Sequence, residues 1–261
     1  MSARLSPRDF LAPALVVVAL IAVWETSARL DVLADLFSIQ DFLIPAPSDI
    51  AEALWENRSL LADDAWVTLR EVVLGFALAV VLGVGFALAM HLWPALRRAT
   101  YPLLVASQTI PPVAIAPILV VWFGFGITPK LGLIALICFF PITVNTFDGL
   151  RSVDPGVIKM MRTLGASRAQ TLGRAELPWA MPFVFSGAKI AVAVSVIGAV
   201  FAEWAGSNEG LGHLILVSSG ELSTALTFAA ITVLSGMAIC LFGLLAVVER
   251  LVVNWKEEPA R

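Results

Sequence analysis

The stretch Leu222–Val248, LSTALTFAAITVLSGMAICLFGLLAVV, carries no charged residue. A helix that crosses the hydrocarbon core of a bilayer needs about 20 mostly apolar residues. This run is long enough, and four more lie upstream of it. Val72 to Trp93 and Ala99 to Thr128 are uncharged, Leu131 to Phe147 is shorter and uncharged, and Phe183 to Ala202 holds the single charge of Lys189. A sixth candidate runs from Phe10 to about Ala28, its strictly apolar part ending at Trp24. Composition agrees: the 261 residues are 59% hydrophobic and 14% charged, with a mean hydropathy of +0.90. Soluble domains carry about 25% charged residues. The sequence therefore predicts an all-α membrane protein, one domain over residues 1–261. Its six transmembrane helices lie near 10–28, 72–93, 100–123, 131–147, 183–204 and 225–248.

The first segment could be a signal peptide, with Arg4 and Arg8 before the apolar run. The residues after it, Glu25-Thr26-Ser27-Ala28, lack a clear A-x-A cleavage site, and five spans follow, so it reads as an uncleaved first span. Basic residues set the orientation. With the N-terminus inside, the cytoplasmic segments hold Arg4, Arg8, Arg97, Arg98, Arg151, Lys159, Arg162, Arg168, Arg174, Arg250, Lys256 and Arg261. The outer ones hold Arg29, Arg58, Arg70 and Lys130. The opposite orientation violates the rule, so both termini are expected to be cytoplasmic. Asp31, Asp35, Asp41, Asp49, Glu52, Asp63 and Asp64 crowd the first outer loop.

One inner loop is long, from about Gly149 to Met181: GLRSVDPGVIKMMRTLGASRAQTLGRAELPWAM. Asp154-Pro155 is a helix start, because aspartate caps free N–H groups and proline is preorganised at the first helical position. Val157, Met160, Met161 and Leu164 recur at helical spacing. Gly165 can turn the chain, Ala166 to Ala175 can form a second helix, and Leu177-Pro178 ends it. The five basic residues of the loop can serve as topology determinants or lipid contacts. An apolar stripe in a membrane loop must be covered by something, and a soluble partner would dock there.

The same loop is similar to that of bacterial ATP-driven (ABC-type) importer permeases, whose pattern is E-A-A, three residues, G, nine residues, I, one residue, L-P. Here Gly165 and Leu177-Pro178 stand at the right distance, while Lys159-Met160-Met161 replaces E-A-A and Ala175 replaces the isoleucine. The departure at Lys159 removes the basis for a specific carboxylate contact but not for docking, which rests on helix shape and the glycine turn. IPAPSDIAEALW, IPPVAIAPILVVWFGFGITPKLGLIALICFFPITVNTFDGLRSVDP and AEWAGSNEGLGHLI resemble the nitrate/sulfonate/taurine-type permeases over about Phe42 to Leu251. The last of these is most similar to the branch importing pyrimidine precursors of thiamine.

The resemblance implies a type I importer permease fold and a set of partners. These are two ABC ATPase copies, an extracytoplasmic substrate-binding protein and a second permease copy, as a homodimer in the inner membrane. It implies an ATPase-coupling loop formed by Val157, Lys159, Met160, Met161, Leu164, Gly165, Ala166, Leu177 and Pro178. The chain itself has no P-loop: none of Lys130, Lys159, Lys189 and Lys256 follows a glycine. The resemblance thus implies no enzyme and no cofactor in this chain, with ATP and magnesium bound by the partner ATPase.

Five residues are candidates for the pathway or its gates. Lys189 either snorkels or pairs near the inner interface, or lines the inner pathway. Glu203 is an interfacial carboxylate beside Trp204, or touches the binding protein or outer gate. Pro111, Pro112 and also Pro117 interrupt the third span, either as a fixed kink or as a bent pathway helix with Gln108 facing the cavity. Gly206, Gly210 and Gly212 read as a plain connecting loop. His91 and His213 stand alone, without the spaced partners a metal site needs, and Cys138 and Cys240 read as apolar filler. No basic patch interleaved with aromatics suggests nucleic acid. A secondary transporter or channel without an ATPase is the alternative; such proteins often show internal repeats and paired intramembrane charges, whereas the sequence shows no repeat across its halves and only Lys189 well inside a span. An intramembrane enzyme lacks its H-E-x-x-H or G-x-S-x-G motif.

Overall fold

The computed structural model describes residues 7–30, 40 and 43–255, without side chains for 7–14. The basic residues Arg4, Lys256 and Arg261 and the loop acids Asp31, Asp35 and Asp41 lie outside the described residues, and Arg8 has no described side chain. Every regular element among the described residues is helical. In chain order these are α1 Pro7–Arg29, α2 Pro47–Glu56, α3 Arg58–Leu92, α4 Pro94–Ser107, α5 Pro112–Phe123 and α6 Ile127–Arg151. They are followed by α7 Pro155–Thr163, α8 Arg168–Thr171, a π-helical turn Leu172–Glu176, α9 Leu177–Gly206, α10 Leu211–Gly220 and α11 Thr224–Val252.

Four helical stretches are long and apolar enough to cross a membrane: α3, α6, the continuous run Arg168–Gly206, and α11. Segment 100–123 differs from its expected single span. It is two helices, α4 and α5, meeting at 105°. Pro111 and Pro112 supply no N–H to a continuing helix, and a residue before proline is driven out of the α region. Gln108 is the exposed C-cap of α4, and Pro111 is the N-cap of α5. The prolines break the helix rather than kink it.

A second expectation also needs correction. Leu177-Pro178 does not end the second loop helix, which starts at Arg168 and runs into α9. Ser167 caps it, accepting from Gln170 N, while the Gln170 side chain returns to Ser167 N. Pro178 has no N–H to offer four residues back, and the single π turn takes up the misfit, with Leu177 N bonded to Leu172 O. The loop between Gly206 and the last span is likewise not plain, because it contains α10.

The chain divides into two compact units: Met1–Asp64 with Leu214–Val233, and Ala65–His213 with Leu234–Arg261. In the first, Arg29 at the end of α1 bonds Glu25 and, 2.8 Å away, Asp49 of α2. Trp24 and Phe228 rings meet at 6.1 Å. In the second, α6 and α9 form the centre, with α5 against both. Val72, Ala79, Ile134, Cys138, Ile142, Ala191 and Ala199 are buried there together. Small residues let these backbones approach, which is how membrane helices gain packing without a hydrophobic drive. A Cβ on Gly187 would stand 2.6 Å from Pro141 O, and one on Gly75 of α3 would stand 2.7 Å from the Ile134 side chain.

Candidate functional site

The loop between α6 and α9 is built from its caps. Asp154 accepts from Gly156 N at 2.6 Å and Pro155 opens α7. Gly165 then takes φ +80, a conformation that side chains resist. Its N–H reaches Arg162 O at 3.0 Å and Ala166 N reaches Met161 O at 3.0 Å, closing the helix C-terminus. α7 buries nothing. Val157, Met160 and Leu164 are exposed, Leu164 by 78% and Met160 by 57%, while Met161 and Ala166 are half-buried and Lys159 is exposed. The stripe seen in sequence is therefore an uncovered apolar ridge. Leu177 and Pro178 do not share it; they lie past the π turn at the start of α9.

Two pairs anchor the neighbourhood of this loop. His91 at the end of α3 meets Glu176 of the π turn at 2.9 Å, and Arg168 donates to Leu92 O at 3.0 Å. His91, solitary in sequence, thus has a partner. Lys189 pairs with Glu249 of α11. Glu249 stands in the last turn of α11.

Glu203 is 0% exposed, so its carboxylate is enclosed within the chain. Thr68 Oγ1 donates to its Oε1 at 2.7 Å, and Gly212 N and His213 N donate to its Oε2 at 2.6 and 3.1 Å. Leu211 N donates in turn to Thr68 Oγ1 at 2.9 Å. The first N–H groups of α10 have no partners within their helix, and a carboxylate from α9 supplies one. Gly210, at φ +105, makes the turn, and a Cβ there would fall 2.5 Å from the Glu203 carboxylate. One layer away, Lys130, 7% exposed, donates to Glu71 Oε1 at 2.6 Å and to Ser207 Oγ at 2.7 Å. Sequence reasoning counted Lys130 as an outer-loop charge and did not single out Thr68, Glu71 or Ser207. Their partners lie 59 to 143 positions away, and no local pattern carries that information. Among the described residues no group of three His, Cys, Asp or Glu could hold a metal.

Long apolar helices, a broken pair, and a capped excursion with an uncovered ridge fit a multi-pass membrane protein. Residues 79–254 match the family "binding-protein-dependent transport system inner membrane component", and the chain belongs to it. It is 38% identical over 249 residues to a formylaminopyrimidine transport permease of Halalkalibacterium halodurans, covering 95% of this chain and 97% of that protein. It is 36% identical to a riboflavin transport system permease of Chloroflexus aurantiacus, covering 82% of this chain and 81% of that protein. Against a taurine transport system permease of Escherichia coli it is 31% identical, covering 92% and 87%. The fold is similar to that of a methionine ABC transporter solved in inward-facing conformations. The TM-score is 0.63 at 19% identity, covering 76% of this chain and 97% of the other.

Proposed function

We propose that this chain is the translocation subunit of an ATP-driven importer. Two copies form the pathway, two ABC ATPase subunits dock on the α7 ridge, and an extracytoplasmic binding protein delivers the solute. The observation that carries this reading is the ridge of Val157, Met160 and Leu164, held clear of the fold by the Asp154 cap and the Gly165 turn. Exposed apolar side chains on a membrane loop call for a partner surface. ATP and magnesium belong to the ATPase. Nucleotide shifts the transporter only in so far as the closed ATPase dimer prefers one arrangement of these loops. In this reading the chain has a type I importer fold with six crossings and both termini cytoplasmic. α1 and the α4–α5 pair complete the set begun by α3, α6, α8–α9 and α11. Gln108, Pro111 and Pro112 lie where α4 and α5 part, which makes that break the pathway candidate.

The solute is a small polar or anionic organic compound, and a formylated aminopyrimidine is the first to try, given the relative that is 38% identical. Purification of the full chain from its native membrane in mild detergent tests the reading. A co-eluting ATPase with a P-loop supports it. Elution alone, with no ATPase captured by a gentle crosslinker, points to a secondary transporter or channel instead. The binding protein of the recovered system is then titrated with formylaminopyrimidine, taurine and nitrate. No binding of any of the three removes the substrate assignment.

A further inference from the structure

A cavity of about 300 Å³ opens between the start of α4 and the end of α6, lined by Arg97, Arg98, Tyr101, Phe147, Asp148 and Arg151. Three arginines and a single acid line it. None of the three is in a salt bridge among the described residues. The arginines are not merely scattered along a helix end. The Arg97 and Arg151 guanidinium carbons lie 6.0 and 5.4 Å from the centroid of the same Phe147 ring. Phe147 is buried and its ring meets that of Tyr101 at 6.0 Å, tilted by 48°, so the floor is fixed. A planar guanidinium resting on an aromatic face keeps its N–H edge free, and that edge matches two oxygens of a phosphate.

The setting indicates the source of the phosphate. Trp93, exposed at the turn into α4, is the residue type that sits at the level of lipid headgroups. Further along α4, Leu103 and Val105 are exposed and apolar, suited to an acyl chain running from a headgroup held at the arginines. From this we infer that the cavity is a phosphate-binding site that takes the headgroup of an anionic phospholipid. A zwitterionic headgroup brings its own cation into a site already rich in positive charge and is disfavoured. The inference needs these helix ends at a membrane surface, as in the reading above, but not the ATPase.

The test is native mass spectrometry of the delipidated full chain in mild detergent, titrated with phosphatidylglycerol or phosphatidylcholine. Preferential retention of phosphatidylglycerol is expected, falling about tenfold or more in the double variant Arg97→Gln, Arg151→Gln. Arg250→Gln, which removes a basic residue from the end of α11, should leave it unchanged. No preference between the two lipids overturns the proposal, as does an equal loss in Arg250→Gln, which would mean diffuse charge rather than a site. Inorganic phosphate raising the thermal midpoint while phosphatidylglycerol shows no preference overturns the lipid assignment. Should the double variant aggregate, Arg98→Gln is read in its place against the same outcomes. ATPase co-elution is scored separately, so failure of the importer reading and failure of this one remain distinct.

Discussion

Lys130 and Glu71 show how a buried charge is made tolerable. Removing one partner of a buried ion pair leaves the other uncompensated, which costs about 3–5 kcal/mol. Lys130→Met should therefore destabilise the chain strongly, by a margin on that order, since Glu71 is nearly sealed and Lys130 is the cation it is paired with. Adding Glu71→Met to Lys130→Met should restore most of the loss, because paired hydrophobic replacements are often neutral or better. Thermal unfolding of the full chain in detergent, followed by size-exclusion chromatography, reads both. Equal stability of the native chain and Lys130→Met would show the pair to be inconsequential.

At the scale of elements, the α6–α9 contact depends on the absence of side chains. Gly187→Leu places a side chain where a Cβ alone meets Pro141 O at 2.6 Å. Overpacking of this kind costs about 1–3 kcal/mol, so the thermal midpoint of the detergent-purified variant should fall. An unchanged midpoint would mean that α6 and α9 part without cost. The α7 ridge makes the opposite prediction. Leu164 is 78% exposed, and surface substitutions away from special features change stability by within about 0.5 kcal/mol. Leu164→Asp should insert and fold normally yet lose ATPase co-purification and transport. Gly165→Pro should also uncouple ATPase activity without preventing insertion, because proline holds φ near −65° and Gly165 sits at +80. Normal transport in both variants would remove the docking role from this loop.

Sidedness belongs to the whole molecule. With Cys138 and Cys240 replaced by alanine, Lys159→Cys should label in intact cells with a membrane-permeant thiol reagent only. Asn208→Cys, in the turn before α10, should label with an impermeant one. The reverse pattern would invert the orientation argued from basic residues. Dimerisation is read at the same scale, from the mass of the detergent complex or by crosslinking of two differently tagged copies.

Much of this protein is written locally. Long uncharged runs such as Leu222–Val248 force helix, because hydrocarbon offers no partners to an open backbone. The Asp154-Pro155 start, the Val157–Leu164 stripe and the Gly165 turn each depend on neighbours within a few residues, and the structure shows them as α7 and its cap. Proline also disclosed that the third span is interrupted, but not how. A kink and a 105° break differ in what packs around Pro111 and Pro112 rather than in the prolines themselves. Likewise Leu177-Pro178 reads as a helix end, yet a single π turn carries the helix past it into α9. The partners were decided by tertiary structure alone: Glu203 under the N-terminus of α10, Lys130 on Glu71, His91 on Glu176 and Lys189 on Glu249. Hydropathy states which segments must leave water. Which polar side chain meets which across 59 or more positions depends on how closely α3, α6, α9 and α11 approach, and that distance is set by packing.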